Sequence, residues 1–448
     1  MHLELFPRRA WRLAFSLACA LLGLIGASSR TAAATTPNII FILADDLGYG
    51  DLGSYGQKLI RTPRLDRMAR EGMRFTQAYA GAPVCAPSRC VLLTGKHTGH
   101  SRIRANSDRS LLAEDATMTE ALKSAGYATG VFGKWGLGLE GSPGAPWRKG
   151  VDEFLGYLDQ THAHAYYPEY LMKNGARLEI PENRNGQRRV YSHDLLANGA
   201  LDFIRRHKDG PFFLYVPFTI PHAEVAVPED SLAEYRGKWP EPKPFAGAKT
   251  YAAQKEPRAV RAAMITRLDR DVGRILDLLD ELKLAENTLV MFSSDNGPIT
   301  AGGQDPDFFD SNGPLRDLKF TLYEGGIRVP FIARWPGKIA RGTESAHVAD
   351  FADLWPTFAE LAGARAPAGG DGVSIAPTLL GQAAKQKPRD HHYWEAAPAQ
   401  AVRRGDWKLF RAATDRTPEL YNLASDIGET KNVAGAHPDV VAALEKLL

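Results

Sequence analysis

Runs of apolar, β-branched and aromatic residues recur along the chain, and segments with helix-like spacing of apolar positions lie between them. This alternation predicts an α/β fold in which helices cover a large, mostly parallel central sheet. The apolar runs predict strands at residues 38–43, 127–132, 212–217 and 288–292.

The helical segments carry start and stop signals. A cap residue followed by proline marks a helix start, and a glycine marks its end. On these signals we predict helices within residues 62–72, 117–126 and 257–284.

The character of the chain changes after about residue 375. A connector rich in lysine and proline is followed by a strand-like segment at 401–410, a short apolar stretch at 419–423 and a final helical pattern at 437–448. We interpret residues 376–448 as a small C-terminal α+β subdomain that follows a main domain at 37–375.

Polar residues follow each predicted strand within a few positions. Ligands of open α/β sheets bind beyond the carboxyl ends of the strands, so we expect these side chains to converge there. They are Asp45 and Asp46 after the first strand, Lys134 after the second, His222 after the third, and Asp295 and Asn296 after the fourth.

The first 34 residues have a basic start, a short apolar run and then small residues, which predicts a cleaved signal peptide and a periplasmic or secreted protein. The run is too short for a membrane anchor, and no later segment reaches spanning length, so we expect no stable membrane insertion.

Cleavage would remove four of 55 basic residues and one of 52 acidic residues, which leaves 51 of each. Without a net positive field, nucleic-acid binding is not expected. The two remaining cysteines, Cys85 and Cys90, are too few to hold a chain of this length by disulfides.

The most specific motif is Cys-Ala-Pro-Ser-Arg at residues 85–89. Pro87 suits the first turn of a helix, and Cys85 and Arg89, four apart, would share a helix face. The helix N-terminus and the guanidinium would then both lie beside the sulfur. Two simpler interpretations are a buried packing cysteine and a redox pair with Cys90.

Asp45, Asp46, Asp295 and Asn296 offer only oxygen ligands, which favours calcium or magnesium over zinc. Taken alone, an Asp-Asp or Asp-Asn pair is more often a turn or a helix cap. Taken together, the four residues make a metal site the stronger hypothesis.

The motif at 85–89 resembles the signature of type I sulfatases, in which the cysteine is oxidised to formylglycine by a formylglycine-generating enzyme. The resemblance covers nearly the whole chain and implies an alkaline-phosphatase-like α/β sandwich, whose catalytic domain would be residues 37–375. The matching segments, in order, are PNIIFILADDLGYGDLGSYG, GKWGLG, SSDNGP, LKFTLYEGGIRVPFIARWPG, GDWKLF and ELYNLASDIGETKN.

This resemblance implies roles for individual residues. One divalent cation, usually calcium and alternatively magnesium, would be held by Asp45, Asp46, Asp295, Asn296 and the formylglycine at Cys85. Arg89, Lys134 and Lys319 would surround the sulfate, where fixed cations stabilise the developing negative charge. His222 would protonate the leaving oxygen.

One position departs from the resemblance. Many relatives have a histidine in the segment Gly-Lys-Trp-His-Leu-Gly, and here the corresponding residue is Gly136. His162 and His164 are candidates to supply an imidazole or to contact substrate, and we favour His162 as the nearer match.

The predicted function is therefore hydrolysis of sulfate esters, on a sulfated carbohydrate or another sulfated small molecule. Two alternatives remain. The first is a phosphoester or phosphonate hydrolase of the same superfamily. The second is a sulfosugar-binding protein without turnover, which becomes credible if Cys85 stays unmodified.

Overall fold

A ten-stranded mixed sheet forms the centre of the fold, and its three middle strands are buried along their whole length. The structure is a computed structural model that describes residue 2 and residues 36–106, 110–248 and 251–448. The predicted signal peptide at 1–34 lies outside the described residues, apart from residue 2. The strands are β1 Asn38–Ala44, β2 Met73–Phe75, β3 Ala78–Tyr79, β4 Ala128–Lys134, β5 Glu153–Tyr157, β6 Tyr170–Lys173, β7 Ala176–Glu179, β8 Phe212–Pro217, β9 Thr288–Ser294, β10 Phe331–Arg334, β11 Thr343–Ser345, β12 Ala349–Asp350, β13 His392–Ala396, β14 Ala399–Arg404, β15 Trp407–Arg411 and β16 Glu419–Asn422.

The strand order of the large sheet is β11-β2-β10-β9-β1-β8-β4-β5-β6-β7. The block β9-β1-β8-β4-β5 is parallel throughout, and β10, β6 and β7 pair antiparallel with their neighbours. This confirms the prediction of a large, mostly parallel sheet. All four predicted strands are present, at β1, β4, β8 and β9.

Helices cover both faces of the sheet because the central strands are apolar on both sides. In β1, Ile40 and Ile42 belong to one hydrophobic core, whereas Ile39, Phe41 and Leu43 belong to the other. The helices are α1 Pro63–Glu71, α2 Cys85–Thr94, α3 Met118–Ser124, α4 Ser192–His207, α5 Glu229–Leu232, α6 Pro257–Glu281, α7 Pro306–Phe309, α8 Glu324–Ile327, α9 Leu354–Ala362, α10 Ala376–Leu379 and α11 Pro438–Glu445.

Helix ends follow the predicted signals. α1 begins at Pro63 and stops before Gly72, and α3 begins after Thr117 in a capping box with Glu120. The first turn of α1 is also held from outside, because the Asp269 carboxylate accepts the N–H of Leu65 at 2.7 Å.

The C-terminal part of the chain forms a second, small antiparallel sheet in the order β13-β14-β15-β16, followed by α11. Lys408 of β15 is fully buried, and its ammonium lies 2.9 Å from Glu324 of α8 and 2.9 Å from Glu429. This ion group ties the small sheet to the segment that carries α8.

In the part of the chain that the structure describes, no helix combines the length and apolarity needed to cross a bilayer.

Candidate active site

Neighbouring parallel strands deliver the predicted polar residues to one edge of the sheet. β1 and β9 pair in register up to Ala44 and Ser294, so the pairs Asp45-Asp46 and Asp295-Asn296 leave the sheet side by side. Lys134 is the last residue of β4. All five of these side chains are buried.

Cys85 is the first residue of α2, and every residue of that helix is buried. Its sulfur therefore lies at the positive end of the helix dipole. Arg89, one turn further on, donates to Asp45 at 3.0 Å and to Asp295 at 2.7 Å. Its remaining arm donates to the Lys134 carbonyl at 2.7 Å, so the guanidinium is held on three sides.

Two lysines complete the surroundings of the cysteine. Lys134 Nζ donates to Asp45 at 2.8 Å. Lys319 Nζ lies 2.6 Å from Asp46 Oδ1 and 3.2 Å from Cys85 Sγ. Lys319 Nζ thus lies within hydrogen-bonding distance of the sulfur.

His222 approaches the same cluster from the loop after β8. Its Nε2 lies 3.4 Å from Asp46 Oδ2, and its Nδ1 is hydrogen-bonded to the Ala223 carbonyl. That bond fixes the ring and leaves Nε2 directed toward the carboxylates.

Two buried oxygens in the cluster lack hydrogen bonds, Asp46 Oδ2 and Asn296 Oδ1. Buried polar atoms usually have partners, so these two oxygens are available to a bound ion. Ligand atoms of Asp45, Asp46, Cys85 and His222 also lie within 4.8 Å of one another. The oxygen donors therefore fit a hard divalent cation.

Burial and charge together set the ionisation of the cluster. Burial alone would raise the pKa of Asp45, but Lys134, His222 and Arg89 outweigh it and hold that pKa well below its usual range. Burial and the neighbouring Asp45 raise the pKa of Asp295 to about 6.

The Cys85 thiol is not activated. Burial, reinforced by Asp45, raises its pKa to about 12. A reactive or redox cysteine needs a thiolate, so this environment argues against the redox interpretation. Cys85 and Cys90 are both free thiols.

The surroundings of Gly136 were not foreseen from the sequence. Gly136 has φ +77°, and a Cβ atom there would lie 2.4 Å from Gln160 Nε2. The Gln160 amide thus occupies the space that a side chain at position 136 would need. Gln160 Nε2 is buried and has no hydrogen-bond partner. Its position in the segment that contains His162 and His164 was the only signal in the sequence.

The two candidate histidines differ in position. His164 stacks on His222, with ring centroids 4.9 Å apart, and its Nδ1 is buried without a partner. The His162 ring instead packs between Tyr157 and Tyr170, with centroid separations of 4.9 and 4.4 Å. His164, rather than the favoured His162, is the ring that lies against the cluster.

The chain is similar to known sulfatases over most of its length. A family model described as Sulfatase matches residues 37–364, and one described as N-sulphoglucosamine sulphohydrolase, C-terminal, matches residues 316–448. The chain is 33% identical to an N-acetylgalactosamine-6-sulfatase of Canis lupus familiaris, over 95% of this chain and 80% of that protein. It is 32% identical to an N-acetylgalactosamine-6-O-sulfatase of Bacteroides thetaiotaomicron, over 92% of each chain. The solved structure of Ps i-CgsB in complex with k-i-k-neocarrahexaose superimposes with a TM-score of 0.77, at 29% identity, over 92% of this chain and 93% of that one.

Proposed function

The chain belongs to the sulfatase family, and from that premise we propose that it hydrolyses sulfate esters of carbohydrates with a formylglycine at position 85 as nucleophile. The observation that carries this proposal is the convergence of Arg89, Lys134 and Lys319 around the buried Cys85. Relatives named for N-acetylgalactosamine 6-sulfate support a sulfated sugar as substrate.

In this proposal the Cys85 thiol stands where the oxidised side chain acts, and a formylglycine-generating enzyme is the partner during maturation. As its hydrate, formylglycine supplies one hydroxyl to attack sulfur and a second whose deprotonation expels sulfate and restores the aldehyde. The burial of the Cys85 thiol supports this interpretation, because it raises the pKa and leaves little thiolate at neutral pH.

A divalent cation would be held by Asp45, Asp46, Asp295, Asn296 and the side chain at position 85. Calcium or magnesium fits these oxygen donors, and the unpartnered Asp46 Oδ2 and Asn296 Oδ1 support a bound ion. When bound, such an ion would withdraw charge from the transferring sulfuryl group.

The remaining roles fall to side chains of this chain. Arg89, Lys134 and Lys319 would surround the sulfate, and their charges would stabilise the negative charge that grows on its non-bridging oxygens. His222, whose Nδ1–H donates to the Ala223 carbonyl, would act as the imidazolium and transfer its Nε2 proton to the departing sugar oxygen. The oxygen leaves as an alcohol because an alkoxide is strongly basic.

We also propose that the protein acts after export, in the periplasm or outside the cell, because residues 1–34 have the pattern of a signal peptide.

The test compares sulfated sugars with the matching sugar phosphates, using enzyme co-produced with a formylglycine-generating enzyme. We expect wild type and Cys90→Ala to release sulfate, and Cys85→Ala to release none. Cys90 is the matched control because it is a buried free cysteine of the same helix. Faster release of phosphate than of sulfate would favour a phosphoester hydrolase. Sugar binding without release by fully converted wild type would favour a binding protein.

A further inference from the structure

Phe320 is the most exposed large hydrophobic residue in the described part of the chain. It is 60% exposed, whereas the other exposed large hydrophobics, all leucines, lie between 36% and 38%. A ring this exposed gains little from the core, so packing does not explain its presence.

The backbone at Phe320 is in a conformation that phenylalanine disfavours. Its φ is +77°, in the left-handed region where glycine or asparagine is expected. Glycine would satisfy this turn without strain, so the turn does not require an aromatic ring. Strain of this kind concentrates at functional sites.

Hydrogen bonds hold the turn in place beside the nucleophile. Phe320 N donates to the carbonyl of Pro83 at 2.9 Å, two residues before Cys85. The preceding amide, of Lys319, donates to Pro298 at 3.0 Å. The ring is therefore presented from a fixed backbone.

The ring also lies close to the reacting position. Lys319 Nζ is 3.2 Å from Cys85 Sγ and 5.5 Å from the Phe320 ring centroid. Both distances share the Lys319 nitrogen, so a sugar whose sulfate sits at the nucleophile is within reach of the ring. The exposed fraction of Phe320, 60%, leaves ring surface free for such a sugar to contact.

Resting on the proposed function, we propose that Phe320 is a stacking platform for the pyranose ring that carries the scissile sulfate. The C–H face of a pyranose is apolar, and an exposed aromatic ring offers it a flat apolar surface. Lys319 then binds the sulfate and Phe320 binds the sugar, so two consecutive residues of one turn contact both parts of the substrate.

The test separates sugar binding from sulfate binding. Wild type, Phe320→Ala and Phe320→Tyr are compared for the KM of a sulfated monosaccharide that wild type hydrolyses and for inhibition by inorganic sulfate, which has no ring to stack. We expect Phe320→Ala to raise KM about 5- to 10-fold, the range that one aromatic stacking contact provides. Phe320→Tyr should stay close to wild type, and the sulfate inhibition constant should not change.

Leu178→Ala is the matched control, because it truncates an exposed hydrophobic residue on the edge strand β7. An unchanged KM in Phe320→Ala would overturn the platform. An equal weakening of sugar and sulfate binding would also overturn it, since the ring would then act by positioning Lys319. Failure of the proposed function would be seen before any variant is tested, because wild type with residue 85 converted to formylglycine would then hydrolyse no sulfated sugar.

Discussion

At the scale of single residues, His222 makes the clearest prediction, because its contribution depends on the leaving group. A nitrophenolate departs without a proton, whereas a sugar alkoxide does not. His222→Ala should therefore lose more rate on a sulfated sugar than on nitrophenyl sulfate, by a factor on the order of 10²–10⁴. Steady-state rates on both substrates, at matched formylglycine content, give the comparison. Equal losses would indicate a role in sulfate binding instead.

Gly136 and Gln160 make a second prediction as a pair. Gly136→Ala should lower kcat/KM and the melting temperature, because φ +77° strains any residue with a Cβ and the new Cβ would also displace Gln160 Nε2, 2.4 Å away. Gln160→Ala opens that space, so the double variant should lose less than the two single losses combined. A double-mutant cycle should give a coupling energy of about 0.5–3 kcal/mol. Additive losses would mean that Gln160 does not occupy the space at position 136.

The sequence predicts the position in the site of some of these residues but not of others. The residues at strand ends can be placed, because a strand end is visible in one short stretch of sequence. The contact between Gly136 and Gln160 joins two loops and depends on how both leave the sheet, which no local pattern reports. The same holds for His164, whose stacking on His222 sets it apart from His162.

At the scale of elements, Asp271 of α6 fixes α4. Its carboxylate lies 2.9 Å from His193 Nε2, and both side chains are fully buried. Arg270 and Arg274 contact it at 2.8 and 2.9 Å. Burial alone would raise the pKa of Asp271, but the hydrogen bond from His193 and the charge of Arg270 hold it well below its ordinary value.

Because the pKa of Asp271 is lowered by folding, the direction in which its contribution to stability changes with pH is fixed. The ionised Asp271 stabilises the fold above its unfolded pKa of about 3.9, and this stabilisation is lost as the pH falls below that value. Asp271→Asn should therefore unfold more easily at pH 7 and lose less further stability between pH 4 and pH 2 than wild type does. Urea unfolding across that range measures this. Asp277→Asn, on the same helix but 48% exposed, should follow wild type. Parallel pH profiles for Asp271→Asn and wild type would contradict the assignment.

The elements themselves were largely predictable. Apolar runs located β1, β4, β8 and β9, and cap signals located α1 and α3, because periodicity and capping are local properties. The short strands β2, β10 and β11 were not predicted, since a strand of three or four residues carries too little pattern.

At the scale of the whole molecule, the sequence pattern did not identify what holds the C-terminal sheet. Lys408 lies in a strand with several charges and would pass for a surface lysine, yet it is fully buried between Glu324 and Glu429. Those partners are distant in sequence, so only the folded chain brings them together. We retain a boundary near residue 375 as a proposal.

The proposed metal site predicts an effect on the stability of the whole molecule. A bound cation stabilises the folded state by mass action, by about 2.7 kcal/mol at a hundredfold excess over its Kd. Chelation should lower both the melting temperature and the activity, and calcium or magnesium should restore both. Asp295→Asn should lose the thermal shift, whereas Asp307→Asn, an equal charge change at the surface, should keep it. Restoration by zinc alone would contradict the oxygen-donor site.

The central claim is that residue 85 acts as formylglycine, and one titration tests it most directly. Preparations made with increasing amounts of formylglycine-generating enzyme differ in the converted fraction, which peptide mass spectrometry measures at residue 85. The rate of sulfate release from a sulfated sugar should rise in proportion to that fraction. It should extrapolate to zero when residue 85 is entirely cysteine. Activity in a preparation whose residue 85 is entirely cysteine, or none in a fully converted one, would contradict the account.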